Sequence, residues 1–92
     1  MYIKMSNYGL HLSNRLKCRE IMSSLKSELI ISKSVTIDFS GVTMMTMSFG
    51  TELFDTIHSI FDKDQINILN TTGIVKSVTS FCLNNVKSKE FG

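Results

Sequence analysis

Residues 35–61 read VTIDFSGVTMMTMSFGTELFDTIHSIF, and the change of period inside this stretch decides the fold. Val35, Ile37 and Phe39 alternate with Thr36 and Asp38, the period-two pattern of a buried strand. Gly41 breaks the strand, and a short Thr/Met-rich stretch follows. From Phe49 the period lengthens, so that Phe49, Leu53, Ile57, Ile60 and Phe61 share one face of a helix. Ser48 stands at the junction, where a hydroxyl can cap the helix or meet whatever approaches its N-terminus. A strand, a loop, an exposed serine and an amphipathic helix, in that order, suggest a regulatory surface more than an enzyme pocket.

Working outward, Tyr2–Met5 reads as a short strand followed by a polar turn at Ser6, Asn7 and Gly9. Ser13 or Asn14 caps a long helix reaching about Ile31, with Cys18, Ile21, Met22, Leu25 and Leu29 as one apolar stripe. Arg15, Lys17, Arg19, Lys26 and Glu28 fall largely off that stripe and read as a solvated face. Downstream, Asp62–Asp64 makes a turn and Gln65–Leu69 alternates, with Ile66 and Ile68 on one side. Thr71 or Thr72 offers the next cap, and a third helix is expected over Ile74–Val86 with Ile74, Val75, Val78, Phe81 and Cys82 on one side. Lys87–Gly92 reads as a frayed end.

The resulting β-α-β-α-β-α order predicts an α/β fold: a small, mostly parallel sheet, right-handed crossovers and helices packed against it. Val35–Phe39 is expected to be the central, fully buried strand. The expected core is Ile37, Phe39, Val42, Phe49, Leu53, Ile57, Ile68, Val78 and Phe81. Ninety-two residues without an internal repeat or a linker make a single domain.

Composition narrows the function. A net charge of +2, with no run of five like charges, gives no footprint for nucleic acid. Asn14, Arg15, Lys17 and Arg19 cluster at the start of the first helix without nearby exposed aromatics. The first ten residues lack a continuous apolar core, and no stretch approaches the roughly 18 apolar residues of a membrane span, so the expectation is a cytoplasmic protein that does not enter membranes. Cys18 and Cys82 fall on apolar helix faces and are expected as buried free thiols.

The chemistry-bearing residues form no catalytic set. His11, His58, Cys18 and Cys82 are the whole inventory of soft or imidazole ligands and lack metal-site spacing, so no cofactor is expected. No G-x-S-x-G elbow is present, and the five glycines are too scattered for a phosphate loop. Glu52 and Asp55, three apart on the second helix, read as a surface pair or as acids favoured by the helix dipole. Met44, Met45 and Met47 read as half-buried loop packing or as an adaptable partner surface.

The central segment resembles the STAS-like domains, relatives of the STAS fold of anti-sigma-factor antagonists and sulfate-transporter tails. That pattern is a strand ending in an acidic residue, then F-x-G-V, a short linker and S-F-x-x-E-L-F. Asp38, Phe39, Gly41 and Val42, then Ser48, Phe49, Glu52, Leu53 and Phe54, stand at matching intervals. The helix start at Leu12–Arg15 and the strand-then-Asn step at Ile68–Asn70 extend the resemblance over about residues 9–86.

The resemblance implies a non-enzymatic interaction module of bacterial or phage origin. In the antagonists a serine at the start of the equivalent helix is phosphorylated by a GHKL-type ATPase/kinase, which blocks binding to that partner. Ser48 matches it by position, with Thr43, Met44, Met45, Thr46, Met47 and Glu52 as the surrounding partner surface. The antagonists place an acidic residue before the serine and a glycine after it; here Thr46 and Met47 precede Ser48 and Phe49 follows. A bare cap accounts for Ser48 as well as a phosphosite does. Two other readings stand beside this one: a small-ligand or nucleotide sensor, and a structural homo-oligomer, such as a homodimer or a mobile-element protein interfering with a host factor through an edge strand.

Overall fold

The computed structural model describes residues 1–85. Its elements, in chain order, are β1 (Tyr2–Lys4), β2 (His11–Leu12), α1 (Arg15–Ile31), β3 (Val35–Asp38), β4 (Met44–Met45), α2 (Met47–Ile60), β5 (Ile66–Leu69) and α3 (Gly73–Asn85). The expected helix end at Val86 and the expected frayed tail, Lys87–Gly92, lie outside the described residues. The α/β class and the parallel sheet are as the sequence predicts.

The main sheet has the order β1-β3-β5, all parallel, with β3 in the middle. Its register aligns Ile3, Ile37 and Ile68 across the three strands and sets Val35 beside Ile66. Alternation sends these five inward, where Val35 and Ile37 are fully buried. The opposite face carries Tyr2, Lys4, Asn67 and Leu69, all exposed, with Thr36 half-buried. Among the described residues, helices therefore cover the sheet on one face only. Ile68, expected in the core, is half-buried, as is Ile66 beside it on β5, where the packed layer thins at that edge of the sheet.

A second, two-residue ladder pairs β2 with β4 in parallel, His11 beside Met44 and Leu12 beside Met45. The sequence reading has a loop at Met44–Met45 and assigns no element to His11–Leu12, since two residues are too few to show a period.

Asn14 starts α1, its side-chain oxygen accepting from the Leu16 N–H at 2.8 Å. Cys18, Ile21, Met22 and Leu29 are buried and Leu25 half-buried, as the stripe requires. Helix α2 lies between α1 and α3 and buries Phe49, Gly50, Leu53, Phe54 and Ile57. Phe39, just past β3, packs against Phe54 with ring centroids 6.5 Å apart.

Gly50 sets how closely α3 approaches. A Cβ built there would stand 2.9 Å from Val78 Cγ1 and 3.0 Å from Cys82 Sγ. That contact turns α3 so that Val75, Val78, Thr79 and Cys82 face inward. Phe81, expected in the core, is 51% exposed, and Ile74 is exposed with it. The apolar residues of α3 allow either rotation; the missing side chain at Gly50 selects one.

Candidate functional site

Strand β4 leads directly into α2, and the single residue between them makes the cap. The Thr46 N–H bonds to the Leu12 carbonyl at 2.9 Å, which fixes where the chain leaves the small ladder. Thr46 Oγ1 then accepts from the Phe49 N–H at 3.3 Å. Ser48 is not the cap. It is the second residue of the helix, exposed, with its Oγ 3.3 Å from Thr46 Oγ1.

The Thr/Met stretch before the helix is strapped down instead of looping freely. The Leu10 carbonyl accepts from the Thr43 and Met44 N–H groups at 2.9 and 3.2 Å, and from the Thr43 hydroxyl at 3.3 Å. Held this way, Met44 and Met47 stand 39% and 44% exposed. Met45 turns inward at 1% exposure, because alternation in β4 points it at the core, so it leaves the partner surface expected of it. Leu10 is exposed beside this strap, a position no spacing rule could single out.

Glu52 makes no pair with Asp55. It reaches across to α1, where Arg19 Nε lies 3.3 Å and Arg15 Nε 3.9 Å from its carboxylate oxygens. The arginine side chains remain about half exposed while Glu52 is 21% exposed. Helices α1 and α2 each return the chain between parallel neighbours of the same sheet, so the two run in the same direction and their N-termini share one end of the molecule. Beyond the ion cluster an open groove of about 630 Å³ lies between them, lined by Met22, Lys26 and Ile30 and by Thr56 and Ile60.

A second polar cluster joins the C-terminal ends of β3 and β5 to the first residue of β1. Asp38 accepts from the Tyr2 hydroxyl, from Asn70 Nδ2 at 2.9 Å and from the Ser40 N–H at 2.9 Å. These donors hold its carboxyl below the usual carboxylate range, the Tyr2 hydroxyl contributing most, and the same bond raises the Tyr2 phenol. Asp38 is satisfied on all sides and ties three strands together.

The two thiols and His58 are held in the packing of the helices. Cys18 and Cys82 are buried free thiols, and burial, with the Glu52 charge nearby, pushes Cys18 up to about 12. His58 is half-buried and donates from Nδ1 to the Phe54 carbonyl at 2.9 Å. Among the described residues no three His, Cys, Asp or Glu side chains gather to hold a metal, and no helix is long and apolar enough to cross a membrane.

Residues 19–76, well over half of the chain, match the family model for a STAS-like domain of unknown function. The chain is a member of this STAS-like family. The match runs from Arg19 in α1 to Lys76 in α3, narrower than the residues 9–86 over which the resemblance reads. It takes in Asp38, the Thr46 cap, Ser48 and Glu52 of the STAS-like domain and leaves Arg15 just outside. No curated protein and no solved structure matches the chain.

Proposed function

We propose that this STAS-like domain is a non-enzymatic regulatory module that acts by protein–protein contact and is switched at Ser48. The observation that carries the reading is the division of labour at the start of α2. Thr46 does the capping, which leaves the Ser48 hydroxyl exposed next to Met47, touching Thr46 Oγ1 and accepting from no helix N–H among the described residues. A hydroxyl in that position suits a kinase, and the exposed methionines suit an adaptable contact. Phosphorylation by a GHKL-type ATPase/kinase moves the γ-phosphoryl group of ATP onto Ser48 Oγ. The bond to the β-phosphate oxygen breaks, ADP leaves, and the hydroxyl proton passes to a base of the kinase. The phosphate brings a charge of roughly −1.5 to −2 to a contact that had met a neutral group.

The test is affinity capture from native cells with the wild-type chain and with Ser48→Asp, followed by calorimetry on the recovered partner. Ser48→Asp is expected to keep the fold, since a helix N-terminus favours a carboxylate, and to lose the partner. Ser48→Ala is expected to bind as the wild type does. Equal affinities for all three forms refute the switch.

A further inference from the structure

The ion cluster between α1 and α2 has one cation more than it has anions. Arg15 and Arg19 are four residues apart and so stand one above the other on α1, as Ser48 and Glu52 do on α2. Glu52 faces the arginine column, because it takes both guanidinium groups, and the i,i+4 spacing puts Ser48 on the same side of α2. Arg19 sits at the shorter distance, 3.3 Å, and Arg15, a turn nearer the N-terminus of α1, contacts the same carboxylate only at 3.9 Å. Since the helices run in the same direction, the rung at the level of Arg15 belongs to the residue one turn before Glu52, which is Ser48. Two guanidinium groups share one carboxylate, and helix spacing assigns the fourth corner of the square to the Ser48 hydroxyl.

We propose that Arg15 is the receptor for a phosphate on Ser48, released from Glu52 to hold it while Arg19 keeps Glu52 paired. The inference rests on the reading of Ser48 as a phosphosite. It adds what that reading lacks, the group inside the chain that answers the modification. A phosphate offers guanidinium a charged, two-pronged acceptor and outcompetes a carboxylate that Arg15 meets at the edge of ion-pair range. Arg19 stays with Glu52, which would otherwise face a like charge one helical turn away. The corner changes from net positive to net negative, and the N-terminal turns of α1 and α2 become joined by a charge-assisted bond.

The experiment needs neither kinase nor partner. Phosphoserine is installed at position 48 during translation, and the second ionisation of the phosphate is followed by phosphorus NMR in otherwise wild-type, Arg15→Gln, Arg19→Gln and Lys17→Gln chains. Lys17→Gln removes an exposed cation of the same helix that lies outside the two columns. The phosphate is expected to ionise about 0.5 pH unit lower in the wild-type background than with Arg15→Gln, with a smaller change for Arg19→Gln and none for Lys17→Gln. As a second measure in chains made without phosphoserine, Ser48→Asp and Arg15→Gln should affect the unfolding equilibrium non-additively, by about twofold. Equal midpoints in all four phosphorylated chains, or a shift with Lys17→Gln as large as that with Arg15→Gln, would overturn the proposal. Loss of partner binding by Ser48→Asp alongside flat phosphorus titrations would leave the switch at Ser48 standing and remove the arginine receptor alone.

Discussion

Asn70 Nδ2 donates to Asp38 Oδ1 at 2.9 Å, fastening the residue after β5 to the last residue of β3. Asn70 adopts a left-handed backbone conformation, φ 61°, to make the bond, and the Tyr2 hydroxyl reaches the other oxygen from β1. One carboxylate at the end of β3 thus ties together the end of β5 and the start of β1, on the face that no described helix covers.

Stability should accordingly depend on pH at both extremes. The carboxyl of Asp38 is depressed in the folded chain, so its contribution is present above about pH 4 and is lost as the pH falls through the folded value. The Tyr2 phenol is raised by its bond to Asp38, so its contribution is present below about pH 10 and is lost as the pH rises further. Urea midpoints measured between pH 2.5 and 11 should fall at both ends, and Tyr2→Phe should flatten both limbs. Limbs as steep in Tyr2→Phe as in the wild type would remove the pair from this role.

Gly50→Ala should destabilise the fold although alanine is the better helix former. The new methyl meets Val78, a stiff branched side chain, at 2.9 Å. Overpacking of this kind costs about 1–3 kcal/mol, against a helix gain of about 1 kcal/mol. Leu53→Ala, at a fully buried position of the same helix, should cost about 2–5 kcal/mol. Chemical denaturation reads both, and a stabilised Gly50→Ala would show that α3 can move off α2 freely.

The cap and the switch should separate cleanly by stability. Thr46→Ala removes the acceptor for the Phe49 N–H and should cost about 1 kcal/mol. Ser48→Ala should cost well under half of that, since its hydroxyl accepts from no helix N–H among the described bonds. Thermal melts of the two variants decide it; a larger loss for Ser48→Ala would return the capping role to Ser48.

Both thiols should resist modification in the folded state. Cys18 and Cys82 are buried, and burial raises each, so at pH 8 little thiolate exists to react. Labelling by an aromatic disulfide reagent should proceed at the rate of unfolding and become immediate in denaturant. Rapid labelling of either thiol in the native protein would place it at the surface.

The elements with a strong period were legible in the sequence, and the contacts between them were not. The stripe on α1 and the alternation of β3 follow from spacing alone, because one face of each is apolar and the other is not. The rotation of α3 was misread at Phe81, since a sequence does not state which neighbour lacks a side chain; here it is Gly50. The β2–β4 ladder was missed for want of length, and that omission moved the cap, because the ladder is what delivers Thr46 to the head of α2. The pairing of Glu52 with Arg15 and Arg19 joins residues more than thirty positions apart on two helices. Either partner alone looks like an ordinary solvated charge.

The all-parallel pairing of both sheets has a consequence for biosynthesis. No strand can zip to the one before it through a hairpin; every register partner lies more than thirty residues away. As the chain leaves the ribosome, β3 emerges with only β1 to pair. Its other edge, which carries backbone groups between the fully buried Val35 and Ile37, waits for Leu69 to appear. The most buried strand of the main sheet therefore passes through synthesis with one side unsealed, and the last helix to arrive closes the layer over a core already committed to its shape.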